Sequence, residues 1–219
     1  MFVHGWNGRG AHFSPFFAPL TAAGFSVTAF DAPGHGESQG NDTSYFEMTD
    51  VVRALLRRAT DGGIQAVVGH SLGAAAVINA LSKEGAAPAT VLIAPALDLE
   101  GILYTAFERH GIPETVYRGV IGRYEREFGY SMHRDNPIRL LPALGHPVFI
   151  VHDRSDPTTP YLESRRIAEE TTGVRLFSTS GLGHKRILAE PDVIDWVVRR
   201  VTGAEAGEPK AASVRCSVS

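Results

Sequence analysis

The feature that most constrains the fold is an alternation of short apolar runs with longer segments of helical spacing. The apolar runs predict strands at residues 25–30, 64–68, 90–93, 148–152 and 174–178. The helical spacing predicts helices at residues 13–23, 45–60, 72–81, 161–171 and 192–201. Strands separated by helices favour a mostly parallel sheet with right-handed crossovers and helices on both faces. The sequence therefore predicts an α/β domain over residues 1–202.

Two parts of the chain depart from this alternation. Residues 98–141 hold helix-like stretches at 102–110 and 114–128 but no convincing strand. We interpret this region as an insertion that forms a small helical lid over the strand ends. Residues 203–219 contain few large apolar side chains, which predicts a disordered tail.

The composition excludes several classes of function. The 219 residues carry a formal net charge of −3, which gives no electrostatic reason to expect a nucleic-acid partner. No apolar run reaches the roughly 18 residues of a membrane span, and His4 and Gly5 interrupt any signal-peptide pattern. The single cysteine, Cys216, excludes an internal disulfide. We expect a cytoplasmic protein; the sequence does not indicate its oligomeric state.

The strongest local motif is Gly69-His70-Ser71-Leu72-Gly73, which lies between a predicted buried strand and a predicted helix. A serine on such a tight turn has a strained backbone and an exposed hydroxyl. Glycines are needed two positions to either side because a side chain there would strike the neighbouring strand or helix. The motif predicts that Ser71 is a nucleophile.

A serine hydroxyl is a poor nucleophile unless a base accepts its proton and a carboxylate orients that base. Asp156 follows the strand predicted at 148–152, and His184 follows the last predicted strand. Like Ser71, both lie beyond the carboxyl ends of parallel strands, where sites on open α/β sheets assemble. Asp153 and Asp98 are alternative acids, because each also follows a predicted strand. No His-Glu-x-x-His motif or clustered metal ligands are present, so we expect no metal site.

These motifs, in this order, resemble those of the α/β-hydrolase family, and the resemblance extends from His4 to about residue 202. His4-Gly5-Trp6 is similar to the oxyanion loop of the family. Residues 31–38 resemble its turn after the next strand, and residues 69–73 its nucleophile elbow. The resemblance implies an α/β-hydrolase fold.

The resemblance also implies roles for individual residues. Ser71 would be the nucleophile, His184 the general base and then acid, and Asp156 the orienting carboxylate. Asp156 is preferred to Asp153 and Asp98 because Pro157 and the following turn resemble the acid loop of the family. The backbone N–H groups of Trp6 and Leu72 would form the oxyanion hole. His70 and the Trp6 side chain are candidates for substrate contact, whereas His4 and His35 are interpreted as residues that order their loops.

The function expected from these roles is that of a serine hydrolase. It would cleave a carboxylic ester or related acyl bond of a small or medium substrate through an acyl-enzyme, without a cofactor. Thioester hydrolysis, acyl transfer and carbon–carbon bond hydrolysis remain open, because the same residues serve them. A serine at the elbow argues against haloalkane dehalogenase and epoxide hydrolase chemistry, in which a carboxylate attacks.

The alternative hypothesis is a non-catalytic binding protein or an N-terminally truncated fragment. Two further strands usually precede the oxyanion loop in the family, and here the strand that leads into His4 consists of Met1-Phe2-Val3 alone. So short a central strand would leave buried backbone groups unpaired, at roughly 1–3 kcal/mol each. We therefore expect either a natural start further upstream or a second chain that covers the exposed edge.

Overall fold

A computed structural model describes residues 1–58, 63–86 and 88–203. The predicted disordered tail lies outside the described residues except for Gly203, and Cys216 lies outside them as well. Residues 59 and 60, the last two of the second predicted helix, also lie outside them. Within the described ranges, no helix is long and apolar enough to cross a membrane.

The sheet of the described chain contains five strands, and every neighbouring pair is parallel. The strands are β1 (Phe2–Val3), β2 (Ala66–His70), β3 (Ala89–Ile93), β4 (Val148–Asp153) and β5 (Val174–Thr179). Their order in the sheet is their order in the chain. The predicted parallel α/β architecture is therefore confirmed.

Helices connect these strands at the predicted places, within a few residues, except for two short helices at residues 137–140 and 183–186 that no pattern predicted. In chain order they are α1 (Ser14–Ala22), α2 (Tyr45–Arg58), α3 (Leu72–Glu84), α4 (Leu99–Arg109), α5 (Glu114–Phe128), α6 (Pro137–Leu140), α7 (Tyr161–Glu170), α8 (Gly183–Arg186) and α9 (Pro191–Thr202). The three helices α4 to α6 fall in the region predicted as an insertion, between β3 and β4.

The core has two layers because successive residues of a strand point to opposite faces of the sheet. On one face, Phe2, Val68 and Val151 pack in a cluster with buried side chains of α1 and α9. On the other face, Val3 and Val67 pack in a cluster with buried side chains of α2 and α3. Both faces of the sheet are thus covered, which explains why its strands read as continuous apolar runs.

The strand predicted at residues 25–30 is wrong. Only Ala29 pairs there, through a single parallel bridge to Phe2, together with a hydrogen bond of 2.8 Å from the Phe2 N–H to the Thr28 carbonyl. The pairing of this segment with β1 cannot be longer than β1 itself, which has two residues. The segment still lies beside β1, on the side opposite β2. From β1 the chain therefore first moves to one side of that strand and then crosses to its other side to form β2. Such a reversal opens a crevice at the carboxyl ends of the strands.

The helix α3 packs directly against the backbone of β1. A Cβ atom on Gly73 would overlap the carbonyl oxygens of Val3 and His4, and one on Gly69 would lie 2.6 Å from the Cα atom of Ala74. No side chain fits at either position without moving backbone. The spacing of the two glycines around Ser71 therefore follows from close packing of strand, turn and helix.

The two ends of the inserted region are joined to each other. Asn136, which is buried, accepts a hydrogen bond of 3.0 Å from the Leu99 N–H and donates one of 2.9 Å to the Asp98 carboxylate. Asp98 in turn caps α4 by accepting from the Gly101 N–H at 3.2 Å. The two ends of the insertion are thus held together beyond the carboxyl end of β3.

We expect Gly73→Ala to lower the free energy of unfolding by more than about 3 kcal/mol, because the added methyl group meets backbone that cannot yield. Gly119→Ala is the matched control. Gly119 lies within α5 with open space around its Cβ position, so alanine should stabilise the protein by about 0.5–1 kcal/mol. Urea denaturation measures both changes. Equal stability of Gly73→Ala and the wild type would contradict the packing described for α3.

Candidate active site

Ser71 occupies the sharp turn between β2 and α3. Its backbone has φ 56° and ψ −121°, a conformation that costs a non-glycine residue of the order of 1–3 kcal/mol. The turn is held by a hydrogen bond of 3.0 Å from the Ser71 N–H to the Ile93 carbonyl on β3. Gly5 approaches so closely that a Cβ there would lie 2.7 Å from the Ser71 Cβ. The strained turn thus projects the serine next to the loop that follows β1.

Asp156 and His184 are brought together from the loops after β4 and β5. The His184 Nδ1 lies 2.7 Å from the Asp156 Oδ2. The other carboxylate oxygen accepts from the Thr158 N–H at 2.7 Å and the Thr159 N–H at 3.0 Å. Because a carboxylate only accepts hydrogen bonds, Nδ1 of His184 is the donor, and Nε2 is the ring nitrogen left for another partner.

The Asp156 carboxyl remains ionised although its side chain is fully buried. Burial alone would raise its pKa, but hydrogen bonds from His152, His184 and the N–H groups of Thr158 and Thr159 outweigh burial and hold the pKa far below its ordinary value. A permanent negative charge therefore faces the His184 imidazole.

His152 and Thr159 complete the surroundings of this carboxylate, and the sequence analysis missed both. The buried His152 lies with Nε2 at 3.4 Å from the Asp156 Oδ2, while its Nδ1 lies 2.7 Å from the Ser164 hydroxyl. The Thr159 hydroxyl lies 3.1 Å from the same carboxylate oxygen. The only available signal was position, since His152 ends a predicted strand four residues before Asp156.

Two polar atoms of the candidate site have no hydrogen-bond partner among the described residues. They are the hydroxyl of Ser71 and the Nε2 of His184. Hydrogen bonds of this kind commonly tighten only when a substrate is bound. Both atoms are thus available to a ligand.

His70 lies behind His184. Its buried Nε2 donates to the His184 carbonyl at 2.9 Å, and the two rings lie 4.7 Å apart. Burial, followed by the proximity of His184, lowers the His70 pKa to about 3, so the ring stays neutral. His70 does not line the cavity beside Ser71. Its hydrogen bond holds the backbone of His184, and the expected contact between His70 and a substrate stays a prediction.

The three candidate acids have separate surroundings. Asp153 is fully buried and accepts hydrogen bonds from the Thr179 hydroxyl at 2.7 Å and the Leu182 N–H at 3.0 Å. Burial alone would raise the pKa of Asp153, but these bonds outweigh it and lower the pKa. Asp98 caps α4, as described above. Of the three, only Asp156 is hydrogen-bonded to His184.

Two histidines join the loop after β1 to the loop at residues 31–38. The Nε2 of His4 accepts from the Ala32 N–H at 2.8 Å, while its Nδ1 donates to the Gly5 carbonyl. The Nε2 of His35 accepts from the Asn7 N–H at 3.0 Å. Burial lowers the pKa of His4, which keeps the ring in this neutral, accepting form. Both histidines thus order their loops, as the sequence indicated.

Two backbone N–H groups near Ser71 have no acceptor in the part of the chain that the structure describes. Leu72 is the first residue of α3, so its N–H has no acceptor within the helix. The Trp6 N–H forms no hydrogen bond with any described residue. Both groups belong to the residues predicted for the oxyanion hole.

A cavity of about 380 Å³ opens beside Ser71 and is almost entirely apolar. It extends under α4 and α5, and its lining includes Trp6, Phe46, Leu103, Phe107, Val120 and Tyr124. The Trp6 side chain is 53% exposed and therefore lies at the cavity rim. An apolar space next to an available hydroxyl suits the hydrocarbon part of a ligand. No group of three or more potential metal ligands occurs in the described part of the chain.

A family model described as the alpha/beta hydrolase family matches residues 1–199. The chain belongs to this family. The resemblance seen in the sequence motifs is therefore confirmed, as is the α/β-hydrolase fold. None of the curated proteins compared with the chain matches it.

Solved structures share the fold of this α/β hydrolase. A monoacylglycerol lipase of Paleococcus ferrophilus is 22% identical, with a TM-score of 0.70 and coverage of 92% of this chain and 93% of that one. The esterase Pf2001 of Pyrococcus furiosus is 20% identical (TM-score 0.66, coverage 92% and 81%). A thermophilic esterase of Thermogutta terrifontis is 18% identical (TM-score 0.66, coverage 92% and 89%). At these identities the likeness concerns the fold.

We expect Asp153→Asn to lower the free energy of unfolding by about 1–3 kcal/mol at neutral pH, because the amide leaves buried donors unpaired. Since the folded-state pKa of Asp153 is lowered, its contribution is complete above the unfolded pKa of about 3.9 and is lost as the pH falls through the folded pKa. The difference between wild type and variant should therefore shrink in acid.

Urea denaturation at neutral and acidic pH measures this difference. Asp42→Asn is the control, because Asp42 is exposed and should show no difference at either pH. A stability loss in Asp153→Asn that persists unchanged in strong acid would contradict the assignment.

Proposed function

We propose that this α/β hydrolase is a serine hydrolase that cleaves a carboxylic ester or related acyl bond through an acyl-enzyme. The observation that carries the proposal is the 2.7 Å hydrogen bond between the buried Asp156 and His184. Thr158 and Thr159, whose N–H groups bind the same carboxylate, line one apolar cavity together with the strained Ser71. Backbone strain and a buried ion each cost stability, and nucleophilic catalysis accounts for both.

In the first half-reaction, the Ser71 hydroxyl attacks the substrate carbonyl while the His184 Nε2 takes its proton. The Asp156 carboxylate stabilises the imidazolium that forms, because its low pKa keeps it ionised beside the new positive charge. The N–H groups of Leu72 and Trp6 donate to the oxyanion. In measured enzymes, the loss of one such donor costs roughly 2.7–4 kcal/mol.

Collapse of the tetrahedral intermediate breaks the bond to the leaving group, which receives the proton from His184. A water molecule then takes the place of the alcohol, and His184 removes its proton as the water attacks the acyl carbon. The second intermediate collapses to release the acid and return the proton to Ser71. All groups needed for the cycle belong to the protein and the substrate, so the proposal requires no cofactor.

The apolar cavity favours a small-molecule substrate with a hydrocarbon acyl chain. Each buried methylene contributes about 0.8 kcal/mol, which corresponds to roughly fourfold in kcat/KM for as long as the cavity has room. A thioester in place of the oxygen ester, or an acceptor alcohol in place of water, would use the same residues. A panel of oxygen esters and thioesters with matched acyl chains, assayed with and without an added acceptor alcohol, therefore decides among ester hydrolysis, thioester hydrolysis and acyl transfer.

Ser71→Ala should abolish covalent labelling by a fluorophosphonate probe and reduce hydrolysis of p-nitrophenyl butanoate at least about a thousandfold. The variant removes the only protein oxygen that the mechanism makes nucleophilic, so no acyl-enzyme can form. Mass spectrometry of the labelled protein locates the adduct, and a colorimetric assay measures the rate.

Ser82→Ala is the matched control, because Ser82 is an exposed serine of α3 and should leave labelling and rate unchanged. A folded wild-type protein that neither reacts with the probe nor hydrolyses any ester would overturn the proposal. That result would support the alternative of a non-catalytic binding protein.

Asp156→Asn should lower kcat by about ten-thousandfold, because an amide at this position favours the wrong tautomer of His184. Asp98→Asn tests the rival acid. Asparagine caps a helix as well as aspartate does, so this variant should keep α4 intact and stay within roughly threefold of the wild-type kcat. The reverse pattern of activities would show that Asp98 is the acid and that Asp156 is structural.

A further inference from the structure

A second and larger cavity lies against the same inserted helices. Its volume is about 870 Å³, and Ser71 is not part of its lining. Charged side chains dominate this lining, among them Glu100, Glu114, Arg118, Glu125, Arg139 and Arg166. We call it the charged cavity, and the space of about 380 Å³ beside Ser71 the acyl cavity.

The helices α4 and α5 present different side chains to the two cavities. On α4, Leu103 and Phe107 line the acyl cavity, whereas Glu100 lines the charged cavity. On α5, Val120 lines the acyl cavity and Arg118 the charged one. The inserted helices therefore separate an apolar space from a polar one.

Ile121 and Met132 line both cavities, so their side chains form the wall between them. Met132 is buried, and its N–H donates to the Glu125 carboxylate at 2.7 Å. Ile121 is partly buried and packs against the core cluster that contains Val3 and Val67. In the described part of the chain these are the two residues that both linings share, and the hydrogen bond to Glu125 holds the backbone of one of them.

We propose that Ile121 and Met132 set the longest acyl chain that the enzyme accepts, by closing the acyl cavity against the charged cavity. The proposal rests on the function proposed above and names the residues that limit its substrate. A chain that fills the acyl cavity ends against these two side chains. A longer chain has to displace them or leave the cavity, because the other space lies behind them.

Truncation of the wall should open a path from the acyl cavity into the charged cavity. The space gained is polar and open to solvent, so a long chain finds little new apolar contact there. The effect should therefore be relief of exclusion: long esters improve, while short esters, which never reach the wall, keep their rates. A general loss of packing would instead lower all rates together.

The experiment compares Ile121→Ala, Met132→Ala and the double variant with the wild type on p-nitrophenyl acetate, hexanoate and dodecanoate. Fluorophosphonate titration counts active sites, so that kcat/KM refers to folded enzyme only. We expect the dodecanoate-to-hexanoate ratio of kcat/KM to rise about tenfold in the double variant, with acetate unchanged.

Two control variants separate the wall from simple enlargement. Val120→Ala enlarges the acyl cavity beside Ile121 without reaching the charged cavity, so the ratio should change by less than about threefold. Arg118→Ala changes only the charged cavity and should leave the ratio as in the wild type. If the wall variants keep the wild-type ratio, or if Val120→Ala shifts it equally, the inference is wrong.

A binding measurement keeps this inference distinct from the proposed function. Calorimetry measures how tightly p-nitrophenyl hexanoate and p-nitrophenyl dodecanoate bind to the Ser71→Ala protein. The measurement is made with and without the two wall substitutions. Stronger dodecanoate binding in the wall variant supports the wall even if the wild type hydrolyses no ester. If the wild-type enzyme hydrolyses esters but the wall variants change neither the binding nor the chain-length ratio, the proposal for the wall is wrong and the proposed function stands.

Discussion

The close approach of Gly73 to the backbone of Val3 and His4 is the constraint on which the site depends. It brings the first turn of α3, with its unpaired Leu72 N–H, beside the loop that carries Trp6. It also forces Ser71 into its strained conformation at the end of β2. The buried residues that follow on α3 include three successive alanines, so the helix can lie near the sheet over its whole first half. The packing of small residues thus places Ser71 and Leu72 beside the loop that carries Trp6.

The second half of the site depends on two neighbouring buried carboxylates with different partners. Asp153 binds the end of β5 and the loop that leads to His184, whereas Asp156 binds the imidazole itself. Each is satisfied by several donors, which is what permits a buried carboxylate to remain charged. His70 adds a contact from the other side, through the His184 carbonyl. The histidine is therefore fixed through its loop, its backbone and its ring, and only Nε2 remains free.

Local pattern predicted the architecture and placed Ser71, Asp156 and His184 at the ends of strands, because those features repeat with a period or sit in short motifs. It failed for residues 25–30, since an apolar run becomes a strand only where a partner strand is long enough, and β1 has two residues. It also missed His152 and Thr159, whose part in the site is a tertiary contact with one carboxylate. No sequence pattern indicates the wall formed by Ile121 and Met132 either, because it is defined by two cavities whose linings come from many segments of the chain.

The insertion has a consequence for how such a site changes its substrate. Asn136 joins the two ends of the insertion beyond the carboxyl end of β3, so the helices between them can be altered without moving Ser71 or the loops of Asp156 and His184. The apolar face of α4 and α5 builds the acyl cavity, and one residue of α5 with one beyond it closes that cavity. The groups proposed to perform the chemistry and those proposed to limit the acyl chain therefore lie on separate elements. We expect substitutions in the wall to change the preferred chain length at little cost to Ser71, Asp156 and His184, because the two sets share no hydrogen bond in the described part of the molecule.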